Sequence, residues 1–375
     1  MQKLRKWTII FLLLLPVMLL VGMRVAWWFV PKKTLVVLAI DKTEITSEGQ
    51  AKQPLFWVLK HNKYVRRNGV LYDGRTDYLG FPPLENKQYQ VRDFHNMTEQ
   101  DIRHIASNID VTYFIGSSGT SSEKNKKAGF AKSSMTEKDM YFLREMKKAK
   151  KLIITEFAGF GSSVKANVRR EFENEFGVRW SGWSGCFFST LDSTNIELPQ
   201  WLVSGYMKQH GGKWPFTDAG LVFIHESGTI EVLDGKTDLD EPKPLIHTFA
   251  YGVNRLGMIK EMPYTGWFNI VQMVDSSNHA ISTYWLKVND RGQKLLNKSG
   301  IPVIFPAVIM HKAKDYEFYY FSGNYSDNKI PSNSSYFIGG QHMALMLDGS
   351  AENQFFYRFF SPMISSILLQ YYNTH

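Results

Sequence analysis

The pattern of hydrophobic and polar positions begins with an uninterrupted apolar run over residues 7–23. A helix needs about 20 apolar residues to cross a bilayer, so the length of this run is typical of a membrane span. Three basic residues precede the run, and a Trp-Trp-Phe triplet follows it, as in a span that ends in an aromatic belt. The pattern predicts one N-terminal transmembrane helix, with residues 1–33 as the membrane anchor.

A cleaved signal peptide is the alternative to this anchor. The apolar run is long, however, and no small-x-small cleavage site is followed by a polar segment. The leading basic residues favour a cytoplasmic N-terminus, which places residues 34–375 outside the cytoplasm in a single-pass protein. The chain has one cysteine, Cys186, so no disulfide can form within it.

The next apolar segment, residues 35–40, is a continuous run that suits a strand covered on both faces and ends at Asp41. Two later segments resemble each other, namely MTEQDI at residues 97–102 and MTEKDM at residues 135–140. In each, a Thr is suited to cap a helix, and an Asp follows three positions later. We therefore expect a helix to begin at each segment.

Each predicted helix leads to an apolar strand, at residues 111–115 and at residues 152–155. Strands that alternate with helices predict an α/β fold with a mostly parallel sheet and flanking helices. A third helix is expected to begin at the Ser162-Ser163 cap and to stop at Gly177, because Val and Phe residues between them recur every four positions.

Farther along the chain, short β-rich pieces separated by turns replace this alternation. We predict an α/β core over residues 34–180, a β-rich extension packed on or inserted into the core over 181–350, and a C-terminal helix over 351–375. Residues 355–372 are apolar enough to suggest a second membrane span. One arginine, several serines and several tyrosines in this segment favour a buried amphipathic helix instead.

The net charge is +9, and four of the basic residues lie in the first 30 positions, which contain no acidic residue. The densest basic run, residues 147–151, falls where a predicted helix ends, and the helix dipole favours cations there. A nucleic-acid surface would concentrate Lys and Arg on one element. No nucleic-acid partner is therefore predicted.

Ligands of open α/β sheets bind at the carboxyl ends of the strands. Asp41 and Glu156 each close an apolar strand, and we take them as candidate catalytic carboxylates. Two Gly/Ser loops follow strands and could hold an anion through backbone N–H groups, although tight turns use the same residue types. Their candidate ligand-binding members are Gly116, Ser117, Ser118, Gly161 and Ser162.

A doubled Trp-Ser-Gly unit begins at Trp180 and repeats at Trp183, and further aromatic residues, including Tyr264 and Trp267, lie in the same half of the chain. Flat aromatic faces beside small polar residues suit the apolar faces of sugar rings, whereas core packing is the other common role of tryptophan. We take Trp180 and Trp183 as candidate ligand-binding residues.

The order of these elements, which leads into G-V-R-W-S-G-W-S-G, resembles the class I glutamine amidotransferase-like fold, a flavodoxin-like α/β fold. Together with F-P-A-V at 305–308 and YYFSGNYSDN at 319–328, it is similar to a group of uncharacterised membrane-anchored bacterial envelope proteins. The resemblance implies a fold and no established activity. Amidotransferases of this fold use a G-x-C-x-G elbow and an H-x-E pair, which Cys186 and His225-Glu226 do not reproduce.

The ten histidines are scattered and there is no cysteine pair, so neither a metal site nor a cofactor is predicted. The predicted function is binding of a glycan or a partner protein in cell-envelope or surface-polysaccharide assembly. One alternative is a carbohydrate-active hydrolase whose paired carboxylates, with Asp41 and Glu156 as first choices, lie roughly 5–10 Å apart. Glu226, Asp327 and His342 could join such a site as acid, base or metal ligands. Another alternative is a scaffold subunit of a membrane complex, which would expose a large apolar patch.

Overall fold

A computed structural model describes residues 2–41, 52–81, 90–116, 135–157, 160, 164–327, 330 and 332–375, with the backbone alone for residues 2–13 and for Ser332. Its described strands form one nine-stranded, one four-stranded and one two-stranded sheet. Helices cover both faces of the largest sheet. The chain is therefore a mixed α/β protein, and the predicted α/β class is confirmed.

The described strands are β1 (Lys33–Thr34), β2 (Val37–Asp41), β3 (Tyr64–Val65), β4 (Tyr78–Leu79), β5 (Val111–Ile115), β6 (Leu152–Glu156), β7 (Val178–Phe188), β8 (Gly220–His225), β9 (Ile230–Asp234), β10 (Leu245–Thr248), β11 (Glu261–Pro263), β12 (Phe268–Met273), β13 (His279–Trp285), β14 (Ile304–Lys312) and β15 (Glu317–Phe321). The described α-helices are α1 (Gln2–Phe29), α2 (Gln53–His61), α3 (Glu99–Asn108), α4 (Glu137–Lys148), α5 (Ala166–Phe176), α6 (Gln200–Gln209), α7 (Ala250–Leu256), α8 (Asp290–Ser299), α9 (Gly340–Leu347), α10 (Ala351–Phe355) and α11 (Ser361–Thr374). A 3₁₀ helix covers Ser332–Tyr336, and a π-helical turn covers Phe356–Phe360.

The largest sheet has the strand order β11-β10-β13-β14-β15-β6-β5-β2-β4. Its pairings are antiparallel from β11 to β15 and parallel from β15 to β4. Counted along the chain, the parallel strands have the order 2-1-3-4-5, which is one of the common doubly wound orders. The sheet is thus mixed rather than mostly parallel, because strands of the β-rich extension continue the core sheet at its edge.

Two hydrophobic clusters divide the layers of the α/β core. Apolar residues of α3, α4 and α5 pack on one face of the parallel strands. Helices α2, α10 and α11 pack on the opposite face, where the cluster continues into the four-stranded sheet of β12, β7, β8 and β9. Helix α6 then covers the outer face of the four-stranded sheet. The carboxyl ends of the parallel strands therefore lie beside the junction of the two sheets.

Capping boxes begin α3 and α4, as the two MTE segments predict. The Thr98 hydroxyl accepts a hydrogen bond from the Asp101 backbone N–H, and an Asp101 carboxylate oxygen accepts from the Thr98 backbone N–H at 2.9 Å. Thr136 and Asp139 repeat this arrangement, with the backbone bond to the carboxylate at 2.7 Å. Two orphan N–H groups of each helix end are satisfied in this way.

Helix α5 begins later than its sequence suggests. Its first residue is Ala166 and its N-cap is Lys165, which makes no side-chain capping bond, so a helix start at the Ser162-Ser163 cap is wrong. The two serines themselves lie outside the described residues. The predicted stop is confirmed, because Gly177 takes the left-handed conformation, with φ of 64°, that ends a helix without a Cβ clash.

The predicted boundary between core and extension, at residue 180, falls inside β7. Helical backbone covers residues 351–374, and the π-helical turn comes directly before α11. Pro362 has no N–H and its ring conflicts with the carbonyl four residues earlier, which belongs to Arg358. That carbonyl accepts a hydrogen bond from the Ile259 N–H at 3.1 Å instead, so the irregular turn leaves no unpaired backbone group at this position.

The end of α1 contacts the folded domain through one face. The Met23 carbonyl accepts a hydrogen bond from the Ile338 N–H at 3.2 Å, and the Arg24 guanidinium lies 4.4 Å from the centroid of the Tyr336 ring. Trp27 is buried and meets the same Tyr336 ring edge-on. Residues 14–22 are exposed. Where both backbone and side chains are described, no helix is long and apolar enough to cross a membrane.

Candidate functional site

The two acids named by the sequence lie in one row across the parallel sheet. Asp41 pairs with Ile115, and Ile115 pairs with Glu156. Neighbouring strands lie about 4.8 Å apart, so the two acidic residues are separated by roughly 10 Å of backbone on the same face of the sheet. The prediction that they converge at the carboxyl edge holds for their backbone positions.

The protein itself binds the Glu156 carboxylate. One oxygen accepts from the Tyr113 hydroxyl at 2.6 Å, and the other accepts from the backbone N–H and the hydroxyl of Ser326 at 2.5 and 3.0 Å. Burial raises the pKa of Glu156 to about 8 against the opposing effect of these hydrogen bonds, and the nearby Asp327 adds to the rise. Glu156 thus joins the end of β6 to the turn after β15.

Asp41 has a charged partner. The Lys52 ammonium lies 3.7 Å from an Asp41 oxygen and 3.6 Å from the centroid of the Tyr78 ring, and the side chains of Lys52 and Asp41 are both buried. Desolvation lowers the pKa of Lys52, while the Asp41 charge opposes this shift. Because protein groups hold both acids, the assignment of Asp41 and Glu156 as a catalytic pair gains no support from their surroundings.

The doubly wound order of the parallel strands reverses between β2 and β5, and such a reversal is where open α/β sheets bind ligands. Gly116 lies there, buried, and its N–H donates to the Glu156 backbone carbonyl at 2.9 Å. The other predicted loop members, Ser117, Ser118, Gly161 and Ser162, lie outside the described residues. The anion-binding hypothesis for these loops therefore stays a prediction.

The two tryptophans of the doubled unit are packing residues. Trp180 is 8% exposed and belongs to the cluster under α5, and its indole N–H donates to the Trp183 carbonyl at 2.8 Å. Trp183 is 7% exposed and lies on the other side of the sheet, against the His225 ring. Neither ring presents an open face, so ligand contact by these two residues is not supported by their positions.

Cys186 and the His225-Glu226 pair do not form a nucleophilic site. Cys186 is buried, and burial raises the pKa of its thiol well above the usual value. Glu226 forms an ion pair with Arg169 at 2.7 Å, while the His225 ring accepts from or donates to Ser227 at 2.8 Å. Burial of the Cys186 thiol and the ion pair of Glu226 thus give these residues a structural environment.

A cavity of about 650 Å³ opens where the two sheets meet α10. Four aromatic residues, three carboxylates, one lysine and one amide contribute to its walls together with smaller residues. These nine are Phe187, Tyr264, Trp267, Phe355, Glu197, Asp327, Glu352, Lys243 and Asn324. His342, which the sequence analysis also named, does not line it. Concave sites with aromatic walls and a few polar groups are the usual form of a ligand site.

Hydrogen bonds between loops hold this cavity wall in place. The Trp267 carbonyl accepts from the Tyr264 hydroxyl at 3.1 Å and from the Asn324 backbone N–H at 3.0 Å. The Asn324 side chain in turn donates to Asp327 at 3.1 Å. Since Ser326 binds Glu156, the buried acid of the core fixes the turn that carries Asp327 at the cavity. Glu156 therefore positions the cavity wall and does not itself line it.

Two of the three exposed acids of the cavity escaped sequence reasoning. Glu197 lies in the loop after β7, and Glu352 lies in α10, in segments that contain no motif. Tyr264 and Trp267 were noticed only as members of an aromatic-rich half, although the sequence P-Y-T-G-W marks a turn beside a strand. Asp327 was noticed as a possible site member, without a place. Only the tertiary structure brings these residues together.

The described part of the chain contains no cluster of side chains suited to bind a metal ion. No group of three or more His, Cys, Asp or Glu side chains is arranged there to hold a metal ion. The cavity acids can accept hydrogen bonds, carry charge and exchange protons. Carboxylates with these properties bind hydroxyl-rich or amine-bearing ligands, and two of them at suitable spacing perform general acid–base chemistry.

Comparisons with known proteins give little further guidance. No family model matches the chain, and no curated protein matches it. Among solved structures, it is similar to the crystal structure of Agd3, described as a novel carbohydrate deacetylase, with 9% sequence identity and a TM-score of 0.35. The match covers 83% of this chain and 32% of that one, so the chain spans about a third of that structure's length. A similarity of this size assigns neither fold nor function.

Proposed function

We propose that the chain binds a glycan in the cavity between the two sheets and α10, as a membrane-anchored protein of the cell envelope. The observation that carries the proposal is the lining of this cavity, where the half-buried Trp267 lies beside the carboxylates of Glu197, Asp327 and Glu352. Aromatic faces pack against the C–H faces of sugar rings, and carboxylates accept hydrogen bonds from sugar hydroxyls.

The charge of the cavity narrows the class of glycan. Three carboxylates face one ammonium group, that of Lys243. An acidic saccharide would bring more negative charge to this site, and like charges repel most strongly where water is partly excluded. A neutral saccharide, or one that carries free amines, is the ligand that this arrangement favours.

Titration of saccharides into the full chain tests the proposal. We would measure binding in detergent solution with oligomers of glucosamine, of N-acetylglucosamine and of galacturonate. Trp267→Ala is expected to weaken binding by about tenfold, since a stacking contact contributes on the order of 1–1.5 kcal/mol. Trp201→Ala is the matched control, because Trp201 is 39% exposed and lies on α6 outside the cavity lining.

Equal binding to wild type and Trp267→Ala would contradict the proposal, as would preferential binding of galacturonate. Failure of every oligomer to bind would favour the partner-protein alternative instead. In that case the cavity would be a contact surface for a polypeptide, and the scaffold reading of the chain would become the better one.

Hydrolysis of the bound glycan is a second candidate function, and the three cavity carboxylates are the observation that favours it. A glycosidase needs two carboxyl groups roughly 5–10 Å apart on either side of the scissile bond. Asp327→Asn and Glu352→Gln would then each lower the release of reducing ends by about 100-fold or more, by analogy with general acid–base catalysis, while binding persists. A wild-type chain that binds but releases no product would leave binding as the function.

Two further parts of the proposal concern the type of α/β core and the cellular location of the domain. The 2-1-3-4-5 order of the parallel strands supports a class I amidotransferase-like core. Burial of Cys186, which lies in β7 of the four-stranded sheet and not in this core, argues against glutamine hydrolysis. We keep α1 as the proposed anchor, with the domain outside the cytoplasm. Protease added to intact cells should digest the domain, and protection of the domain until lysis would overturn this orientation.

A further inference from the structure

Helix α9 presents apolar side chains to solvent at its end, while Ala344 and Leu345 pack against the main hydrophobic cluster. None of its residues is buried, and Met346 and Leu347 are 86% and 82% exposed. Asp348 follows the helix, and its carboxylate accepts hydrogen bonds from the Ser350 N–H at 2.9 Å and from the Asn353 side-chain amide at 2.8 Å. These two adjacent apolar side chains form a small exposed surface, and the elements beside it indicate what could cover it.

The position of α9 beside α1 indicates which phase that is. The Ile338 N–H donates to the Met23 carbonyl, and a Cβ on Gly339, the N-cap of α9, would lie 3.8 Å from the Met23 methyl group. Helix α9 therefore starts at the level of Met23 along α1. From that level, residues 14–22 extend about 13.5 Å away with exposed side chains, at 1.5 Å per residue.

The charge around this level is positive. Arg24, Lys32 and Lys33 follow the contact, and no acidic residue precedes Asp41 in the chain. The Lys63 ammonium, which donates to the Trp28 carbonyl at 2.8 Å, is buried against the end of α1 and does not face solvent. Cations at this depth suit the anionic headgroups of a bilayer.

We propose that α9 is an interfacial helix that lies on the bilayer crossed by α1, with Met346 and Leu347 in the boundary between headgroups and acyl chains. This inference rests on the proposed anchor. An interfacial helix buries its apolar face roughly 5–10 Å into that boundary. Because the contact at Met23 ties α9 to α1, two elements would hold the domain in one orientation on the membrane.

Fluorescence of the full chain in vesicles tests the inference. Cys186→Ser provides a background without thiols, since Cys186 is the single cysteine. Met346→Cys and, as a control, Ile196→Cys each carry a polarity-sensitive label in vesicles of phosphatidylcholine and phosphatidylglycerol. Ile196 is 99% exposed and lies in the loop between β7 and α6. Quenching by spin-labelled lipid is expected to be at least about twofold stronger at position 346, given the depth of interfacial helices.

Flotation of the same vesicles separates the two proposals. If the chain floats with the vesicles but the two labels are quenched equally, or neither is quenched, the interfacial role of α9 is overturned and the anchor stands. If the chain does not float, the anchor fails and the inference about α9 fails with it. Flotation with selective quenching at position 346 supports both.

Discussion

The Tyr113 hydroxyl donates a hydrogen bond to the Glu156 carboxylate across 2.6 Å, in a region where both side chains are fully buried. This bond links β5 and β6 in addition to the hydrogen bonds between their backbones. The second oxygen of Glu156 binds Ser326, which lies in the turn leading to the cavity. A buried carboxyl group therefore connects the centre of the fold to the proposed ligand site.

Stability should depend on pH through Glu156. Burial raises its pKa in the folded chain from 4.5 to about 8, so the folded chain keeps a proton that the unfolded chain releases. The contribution of Glu156 to the free energy of unfolding is then complete below about pH 4 and is lost as the pH rises through about 8. The loss amounts to at most about 1.4 kcal/mol for each pH unit. Urea unfolding of wild type and Glu156→Gln across this range measures it.

Glutamine is the matched control here because it keeps the shape of glutamic acid and does not titrate. The stability of wild type relative to Glu156→Gln should fall steadily between about pH 5 and about pH 8 and stay constant above that range. A difference that does not change with pH would show that Glu156 is ionised in the folded chain.

The two capping boxes should differ in their contributions to stability. Thr98→Ala removes a cap at an exposed helix end and should lower the free energy of unfolding by about 1 kcal/mol. Thr136→Ala removes the same side-chain bonds beside Asp139, which is fully buried, and should cost about 2–3 kcal/mol because the carboxylate loses the hydroxyl donor where water cannot replace it. Thermal or urea unfolding of the two variants checks the order, and equal losses would be evidence against it.

A pair of glycines allows steric collision to be separated from backbone strain. Gly182 and Gly228 have nearly the same φ, 89° and 88°, so an added Cβ strains both backbones alike. A Cβ on Gly182 would lie 2.5 Å from the His225 ring nitrogen Nε2, whereas nothing lies within 4 Å of one on Gly228. Gly182→Ala should therefore destabilise the fold by about 1–2 kcal/mol more than Gly228→Ala.

The His225→Ala background provides the control for this comparison. Without the imidazole ring, the two glycine variants should lose similar amounts of stability, since only backbone strain remains. Persistence of the full difference in that background would show that the cost at position 182 has another origin.

The Cys186 thiol should be inert in the folded chain. It is 5% exposed, and burial raises its pKa, so it stays a protonated thiol even at about pH 9. Ellman's reagent should label no thiol in native buffer and one thiol after unfolding in urea. Ile196→Cys, which adds an exposed thiol, should react at once. Rapid labelling of the wild-type chain would contradict the buried, unreactive state.

Local signals in the sequence were sufficient for the core of the fold. Thr98 and Thr136 mark helix starts because capping depends on atoms within three residues, and the strands ending at Asp41 and Glu156 are read from continuous apolar runs. The helix start at Ser162-Ser163 was wrong because α5 begins at Ala166, after the N-cap Lys165, which makes no side-chain capping bond. A rule that relies on capping side chains cannot locate the start of a helix that has no such cap.

The cavity needed long-range information. Trp267 and Asn324 are adjacent because strands distant in sequence pair with one another, and Glu352 arrives on a helix from the end of the chain. The sequence favoured Trp180 and Trp183 because the Trp-Ser-Gly unit is repeated. Two tryptophans three positions apart in a strand, however, also pack on its two opposite faces. Spacing along a chain cannot distinguish a buried ring from an open one when both faces of the sheet are covered.

The contact between α1 and the residues around Ile338 also has a consequence in time. About 300 residues separate the two partners along the chain. At roughly 5–20 residues per second of synthesis, α1 precedes Tyr336 and Ile338 by about 15 seconds to one minute. During that interval Arg24 and Trp27 have none of these late contacts, so the union of the first helix with the domain is a closing event in the order of folding.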